Sequence, residues 1–394
     1  MNEDRLRSLL RETPVPPSAE AQERGMRLVE QAYAERSREE RRGPAPRLAI
    51  ALAAGAVLAA LLLSPAGAEV RDWIDDAVGR GNGASPAALT SIPGGGTLLV
   101  TADSGAWVVH EDGSRRLLGE YDEATWSPNG LHAAVAAGNR LTAVEPDGDP
   151  RWSLTRPQEI GGVRWSPDPG FRVAYLAGDQ LRVVAGDGTE DALVAPRAAP
   201  VAPAWRPGPR HVLAYFTPAG AIRVLDTDSA QVLFGVRSSG SSPVGLEWST
   251  DGQRLLAAHG GGAQIYDRRG RRVASLTGRV TDAAFRPRGH TEIAVLVQRP
   301  SRTRPTSEVV LAAPETSAKR LTPLFSAPGT LTDLEWSPRG DRILVGWPDA
   351  DSWLFIPRAE GRVRSFADVS AEFAPGTPAR SFPRVAGWCC PPQP

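Results

Sequence analysis

Lysine is nearly missing from this chain: Lys319 stands alone, and the other 44 of its 45 basic residues are arginines. The 45 acidic residues balance them to a net charge of zero, which removes long-range attraction to nucleic acid as an organising force and leaves no nucleic-acid partner to expect. With abundant alanine, glycine and proline, the arginine bias reads as the mark of a GC-rich genome. Cysteine is also scarce. Cys389 and Cys390 are adjacent, and no C-x-x-C occurs, so zinc-ribbon and thioredoxin-type sites are excluded. Outside the cytoplasm the pair has three fates: bonded to each other, paired with other chains, or free. Five histidines (His110, His132, His211, His259, His290) are scattered without ligand spacing, so no metal site is expected. G-x-S-x-G, H-E-x-x-H and a phosphate-cradling glycine loop before a helix are all lacking. These absences point away from an enzyme and imply no cofactor.

Long apolar runs are few as well, and one is long enough to cross a bilayer. Residues 48–68 are uncharged and mostly Ala, Leu and Val. Arg36, Arg38, Arg41, Arg42 and Arg47 precede the run; Glu69, Asp72, Asp75 and Asp76 follow it. Positive charge stays inside, so the expectation is a single-pass cell-membrane protein with its N-terminus cytoplasmic and the rest outside. Ala66-Gly-Ala68 resembles a signal-peptidase site, but the long polar segment before the run favours an uncleaved anchor. The organisation read from composition is a helical, partly disordered tail over 1–46 and a transmembrane helix over 47–68 in the lipid bilayer. A tether over 69–95, a repeat domain over 96–388 and a C-terminal tail over 389–394 complete it. The tail has a short helix-like stretch over 3–11 and a longer one after Ser18, with Glu20–Arg24 and Glu23–Arg27 at supporting spacing. It is either a docking element for a cytoplasmic partner or a solvated segment.

What fills the rest is a returning phrase. It reads Trp126-Ser-Pro-Asn-Gly130, Trp165-Ser-Pro-Asp-Pro-Gly170, Trp205-Arg-Pro-Gly208, Trp248-Ser-Thr-Asp-Gly252, Phe285-Arg-Pro-Arg-Gly289 and Trp336-Ser-Pro-Arg-Gly340. The aromatics recur at intervals of 39, 40, 43, 37 and 51 residues, the period of a propeller blade. Between recurrences lie three short apolar runs separated by Gly, Pro and Asp turns, so each repeat reads as four antiparallel strands, A to D from the axis outward. The aromatic ends strand A and packs in the core with the residue two places before it. Residues 382–388 look like a further A strand with no successors, while 95–118 look like B, C and D strands without an A. Pairing them closes the ring and removes the exposed edges. The predicted fold is therefore all-β, a seven-bladed propeller closed by its C-terminal strand.

Two sets of residues stand out as candidate sites. Glu123, Arg164, Glu247, Asp282, Asp333 and Glu335 lie one or three places before an aromatic, facing away from it. They are candidates to line the axial channel and bind an ion or a charged group, or to form salt links between blades. The second set sits on two insertions, 298–306 in a B–C hairpin and 366–380 before the closing strand, which strand alternation places at the same end of the ring. Arg299, Arg302 and Arg304 on one, with Asp368, Glu372 and Phe373 on the other, are candidates for binding an extracytoplasmic partner.

The Trp-Ser-Pro-x-Gly phrase at Trp126, Trp165 and Trp336 resembles the WD40-like propeller repeat of the TolB-type periplasmic proteins of the Tol–Pal system, over roughly 96–388. That resemblance implies a propeller fold and no particular activity; the function expected of the whole chain is that of a binding or scaffolding module. The layout of cytoplasmic helices, one span and an external domain resembles membrane-bound anti-sigma factors of GC-rich actinobacteria, although no histidine with C-x-x-C stands in 1–46. It implies a second reading, a transmembrane regulator whose tail holds a partner. A propeller enzyme without a recognised catalytic site is the third.

Overall fold

The computed structural model describes residues 89–390 apart from 168–169, 238–241, 289–290, 302–303, 314–320 and 375–378. The tail and apolar run expected over 1–68, most of the tether, and Arg302 lie outside the described residues. No helix among the described residues is long and apolar enough to cross a membrane.

Seven four-stranded antiparallel sheets succeed one another around a ring. Blade 1 joins the two ends of the domain: β28 (Arg384–Cys389) pairs with β1 (Thr97–Ala102), followed outward by β2 (Gly105–Val109) and β3 (Arg115–Gly119). Leu98 sits opposite Trp388, and Thr97 opposite Cys389. Blades 2 to 7 begin with β4 (Glu123–Trp126), β8 (Ile160–Trp165), β12 (Ala204–Arg206), β16 (Pro243–Trp248), β20 (Arg279–Phe285) and β24 (Thr332–Trp336). The strand closing the ring runs one residue past the expected boundary at 388, and takes in Cys389.

The local chemistry of the repeated phrase explains why it returns. After four of the six aromatics a serine turns its hydroxyl inward to accept a backbone N–H at or just before the start of the returning strand. Ser127 Oγ accepts from His132 at 3.0 Å, Ser166 from Arg172 at 2.7 Å, Ser249 from Arg254 at 2.9 Å and Ser337 from Arg342 at 3.0 Å. All four serines are buried, so each would leave an unpaired backbone donor in the interior if shortened. The glycine that follows has φ of 69° at Gly130, 65° at Gly252 and 69° at Gly340, a conformation that a side chain resists. Two of the aromatics then stitch neighbouring blades by hydrogen bonds. Trp205 Nε1 donates to the carbonyl of Arg164 at 3.0 Å, and Trp336 Nε1 to that of Ala284 at 3.2 Å, the position just before the preceding blade's own aromatic in both cases.

Packing lies between the blades. The cluster that seals the ring comprises Leu98, Leu344, Trp353, Phe355, Val385 and Trp388, all buried, with the Phe355 and Trp388 rings edge to face at 5.6 Å. Strict alternation along the axial strands does not hold everywhere. Register shifts interrupt β8, β16, β20 and β24, and left-handed backbone at Gly162 (φ 62°) and Asp333 (φ 55°) marks two of these bulges.

Candidate functional site

Antiparallel order puts all A–B and C–D turns at one end of the ring and all B–C hairpins at the other. The chain reaches the ring at the A–B/C–D end: Ile92 N–H donates to Glu111 O at 2.8 Å in the C–D turn of blade 1, and Trp388 Nε1 donates to Gly95 O at 2.8 Å. Three regions bear on function: the axis, the B–C end and the A–B/C–D end.

At the axis, the structure gathers five of the six predicted residues, Arg164, Glu247, Asp282, Asp333 and Glu335, into one electrostatically linked group, while Glu123 acts on Arg384. Most of their hydrogen bonds go from one blade to the next. Glu123 Oε2 of blade 2 accepts from Val163 N–H of blade 3 at 3.2 Å. Glu247 Oε2 of blade 5 accepts from Phe285 N–H of blade 6 at 2.7 Å. Asp282 Oδ2 of blade 6 accepts from Leu334 N–H of blade 7 at 3.0 Å. Asp333 of blade 7 accepts from the Arg384 guanidinium of blade 1 at 2.7 and 2.9 Å. These carboxylates are clasps between blades before they are anything else. Arg384, absent from the sequence-derived set, supplies the second axial cation beside Arg164. It stands four places before Trp388, off the spacing used to find the others. Glu335 accepts no hydrogen bond among the described residues.

Burial pushes the Glu247 carboxyl up to about 8; nearby Glu335 and Asp282 add to this, while the Phe285 N–H and Arg164 oppose it. Glu335 is likewise pushed to about 8 by burial and by the charges of Asp282 and Asp333, against the pull of Arg164. Asp282 is raised by burial, against its two backbone hydrogen bonds. Both glutamates keep partial contact with water while the blades surround them. The axis therefore gathers carboxyls whose burial favours the protonated form. Among the described residues no group of three or more His, Cys, Asp or Glu is placed to hold a metal ion.

At the B–C end four of the six candidate partner residues turn out to be engaged within the propeller, while Asp368 is exposed and Arg302 lies outside the described residues. Arg299 Nε pairs with the buried Glu308 at 2.6 Å, and Arg304 with Asp349 at 3.0 Å. Glu372 pairs with Arg115. Phe373 is 2% exposed, which corrects its reading as a contact surface: it packs against Trp107 and Trp353 in the core. The insertion that carries it forms a short helix, α1 (Val369–Glu372), entered through Asp368. It is fastened at both sides of the seam where the ring closes. Ser370 donates through N–H and Oγ to Asp351 of blade 7 at 3.0 and 2.6 Å, and Ser104 of blade 1 donates to Phe373 O at 2.5 Å. A four-residue helix has no periodicity from which sequence reasoning can find its buried face.

At the A–B/C–D end, blades 2, 3 and 4 border a cleft of about 480 Å³ lined by Ser127, His132, Trp165, Phe171, Arg172 and His211. Two of the scattered histidines meet here. His211 is already held, by Asp228 at 2.7 Å and Gly170 O at 2.9 Å. Beside the cleft, Cys389 and Cys390 are bonded to each other, and a Cβ added at Gly130 would lie 2.4 Å from Cys390 Sγ. The strand that closes the ring thus ends against the first turn of blade 2.

No family model and no curated protein matches the chain. Solved structures do. A chain of the mitotic checkpoint complex is similar with TM-score 0.52 and 19% identity, over 67% of this chain and 81% of that one. The fold shared is the β-propeller, here with seven four-stranded blades. A chain of Kuenenia stuttgartiensis hydrazine synthase is similar with TM-score 0.50 and 18% identity, over 60% of this chain and 76% of that one. At such identities the likeness extends to architecture alone.

Proposed function

We propose that this chain is a single-pass membrane protein that displays its propeller outside the cell membrane as a scaffold for binding a protein or ligand. The binding half of the reading rests on one observation: β28 and β1 tie the two ends of the domain into one closed ring. A ring without exposed inner edges is a rigid platform, and the turns projecting from it carry recognition at little cost to the fold. The membrane half is supported by the uncharged run over 48–68, with arginines before it and acidic residues after it.

Protease added to intact spheroplasts is the test. Cleavage of the propeller with an N-terminal tag left intact is the expected result. A tag lost under those conditions reverses the orientation, and a mature chain beginning at Glu69 shows that the run is removed. Crosslinking on intact cells followed by recovery of the propeller should return an extracytoplasmic species. Recovery of cytoplasmic proteins alone would overturn the scaffold reading.

A further inference from the structure

Closing the ring leaves each blade with one free edge, its outermost strand, which pairs on one side only. The unpaired N–H and C=O groups of such a strand are a template for another chain unless charge, proline or brevity blunts them. Six of the seven outer strands carry one of these devices. β3 has Arg115 and Arg116, β7 (Pro150–Thr155) has its proline and Arg151, and β11 (Ala192–Ala195) is four residues long. β19 (Arg272–Thr277) has Arg272, β23 (Leu321–Pro328) has Pro323 and Pro328, and β27 (Arg364–Phe366) is three residues with an arginine. The exception is β15 (Gln231–Val236) of blade 4, which reads Gln-Val-Leu-Phe-Gly-Val, six residues without charge or proline. Its bulge does not set it apart, since six of the seven outer strands share one.

The two faces of β15 differ. Phe234 and Val236 pack on the cluster of Ile222, Val224 and Trp248 between blades 4 and 5, which anchors the strand. Gly235 belongs to the other face and lies opposite Arg223 of β14 (Ile222–Asp226). Having no side chain, Gly235 puts nothing over the Arg223 guanidinium. Arg223 is exposed and pairs with no carboxylate among the described residues, and the same holds for Arg237, one residue past the strand. Val232, on the face of Gly235, is 52% exposed. We propose, resting on the scaffold reading, that β15 is the docking edge for an extended segment of a partner protein, which joins blade 4 as a fifth strand and carries a carboxylate opposite Gly235. Main-chain hydrogen bonds along the free edge supply the attachment. The carboxylate supplies the choice of partner: two strand spacings, about 10 Å, separate its backbone from that of Arg223, a span that glutamate and arginine side chains cover together. A second copy of this chain answers the charge badly. Antiparallel pairing of β15 with itself keeps like faces together, so Arg223 and Arg237 of both copies would share one face with no carboxylate between them.

The probe is a capped, dye-labelled peptide, Thr-Val-Glu-Val-Glu-Val-Thr, whose alternation puts both glutamates on one face. It is titrated by fluorescence anisotropy into the full chain in detergent micelles. Saturable binding that weakens as salt rises is expected. Arg223→Glu with Arg237→Glu should weaken it about tenfold. Neither side chain has a partner among the described residues, so this double variant should melt like wild type. The same peptide with lysine for glutamate should bind the double variant and not the wild type. Two further peptides are N-methylated, one at the valines and one at the other residues. Alternate N–H groups of an added strand point at the edge, so one of these two should lose binding. If both bind as the parent does, the arginines attract acid without strand addition and the proposal fails. Equal binding by the double variant, or no saturable binding to wild type, also overturns it. If the unbound chain then sediments as a dimer that Val232→Lys dissociates, the edge belongs to a second copy. Peptide binding is read on the purified chain and does not depend on the spheroplast result. A failed titration, with an extracytoplasmic species still recovered by crosslinking, would leave the scaffold reading to another surface.

Discussion

Glu335 accepts no side-chain hydrogen bond among the described residues and Glu247 accepts one, yet burial raises both carboxyls, and the consequence is a dependence of stability on pH. Folding raises the Glu335 and Glu247 carboxyls to about 8, well above their ordinary value of 4.5. A group raised in this way binds its proton more tightly in the folded chain than in the unfolded one. Its contribution is therefore complete below about 4.5, declines as pH rises, and is gone above about 8. The groups that set these values are Arg164, Asp282 and Asp333 around Glu335, and Glu335, Asp282 and Arg164 around Glu247. Urea midpoints measured at pH 6 and pH 9 should show a less stable propeller at the higher pH. Glu335→Gln, which mimics the protonated form, should reduce that difference. A propeller equally stable at both values, or a Glu335→Gln variant with an unchanged pH slope, would show that the carboxyl is solvated through the axis.

Among the elements, α1 shows how an insertion can be structural. The 366–380 segment interrupts the rhythm of the repeat, and in sequence an interruption with charge, an aromatic and prolines reads as a recognition loop. In space it spans the seam, with Val369 and Phe373 inserted beneath it. Removing the Phe373 ring empties a site between Trp107 and Trp353 and should cost roughly 3–5 kcal/mol, read by chemical unfolding. Phe373→Leu, which keeps most of the volume, should lose much less. An alanine variant as stable as wild type would return this segment to the class of tolerated excursions. The repeated phrase was legible in the sequence because each position answers a physical demand: aromatic for the gap between blades, serine for the returning N–H, glycine for positive φ. The bulges were not, since the left-handed turn at Asp333 obeys no alternation. The clasps were half legible. Spacing located Glu123, Glu247, Asp282 and Asp333, but only the fold shows each of them reaching into the next blade.

At the scale of the whole molecule, the pairing of carboxylates across blades was invisible along the chain because its partners stand a repeat apart and only the ring brings them side by side. Closure was visible, because the missing strand of the first repeat stood alone at the other end. It is also the feature on which every surface argument depends, since an open ring fixes neither end. β28 contributes the backbone partner of β1, the Trp388 ring against Phe355, and Arg384 to Asp333. Without it, β1 becomes an exposed edge and the axial face of the first blade is lost, a template for pairing with other chains. Deleting residues 382–394 should therefore abolish a single cooperative transition and drive the chain to aggregate. Trp388→Ala alone should leave the ring closed but cost roughly 3–5 kcal/mol. Size-exclusion and urea unfolding of the two variants separate these outcomes. A deletion variant that remains dispersed and unfolds at the wild-type midpoint would mean that blades 2 to 7 close on the three remaining strands by themselves, and the C-terminal strand is a decoration and not the clasp of the ring.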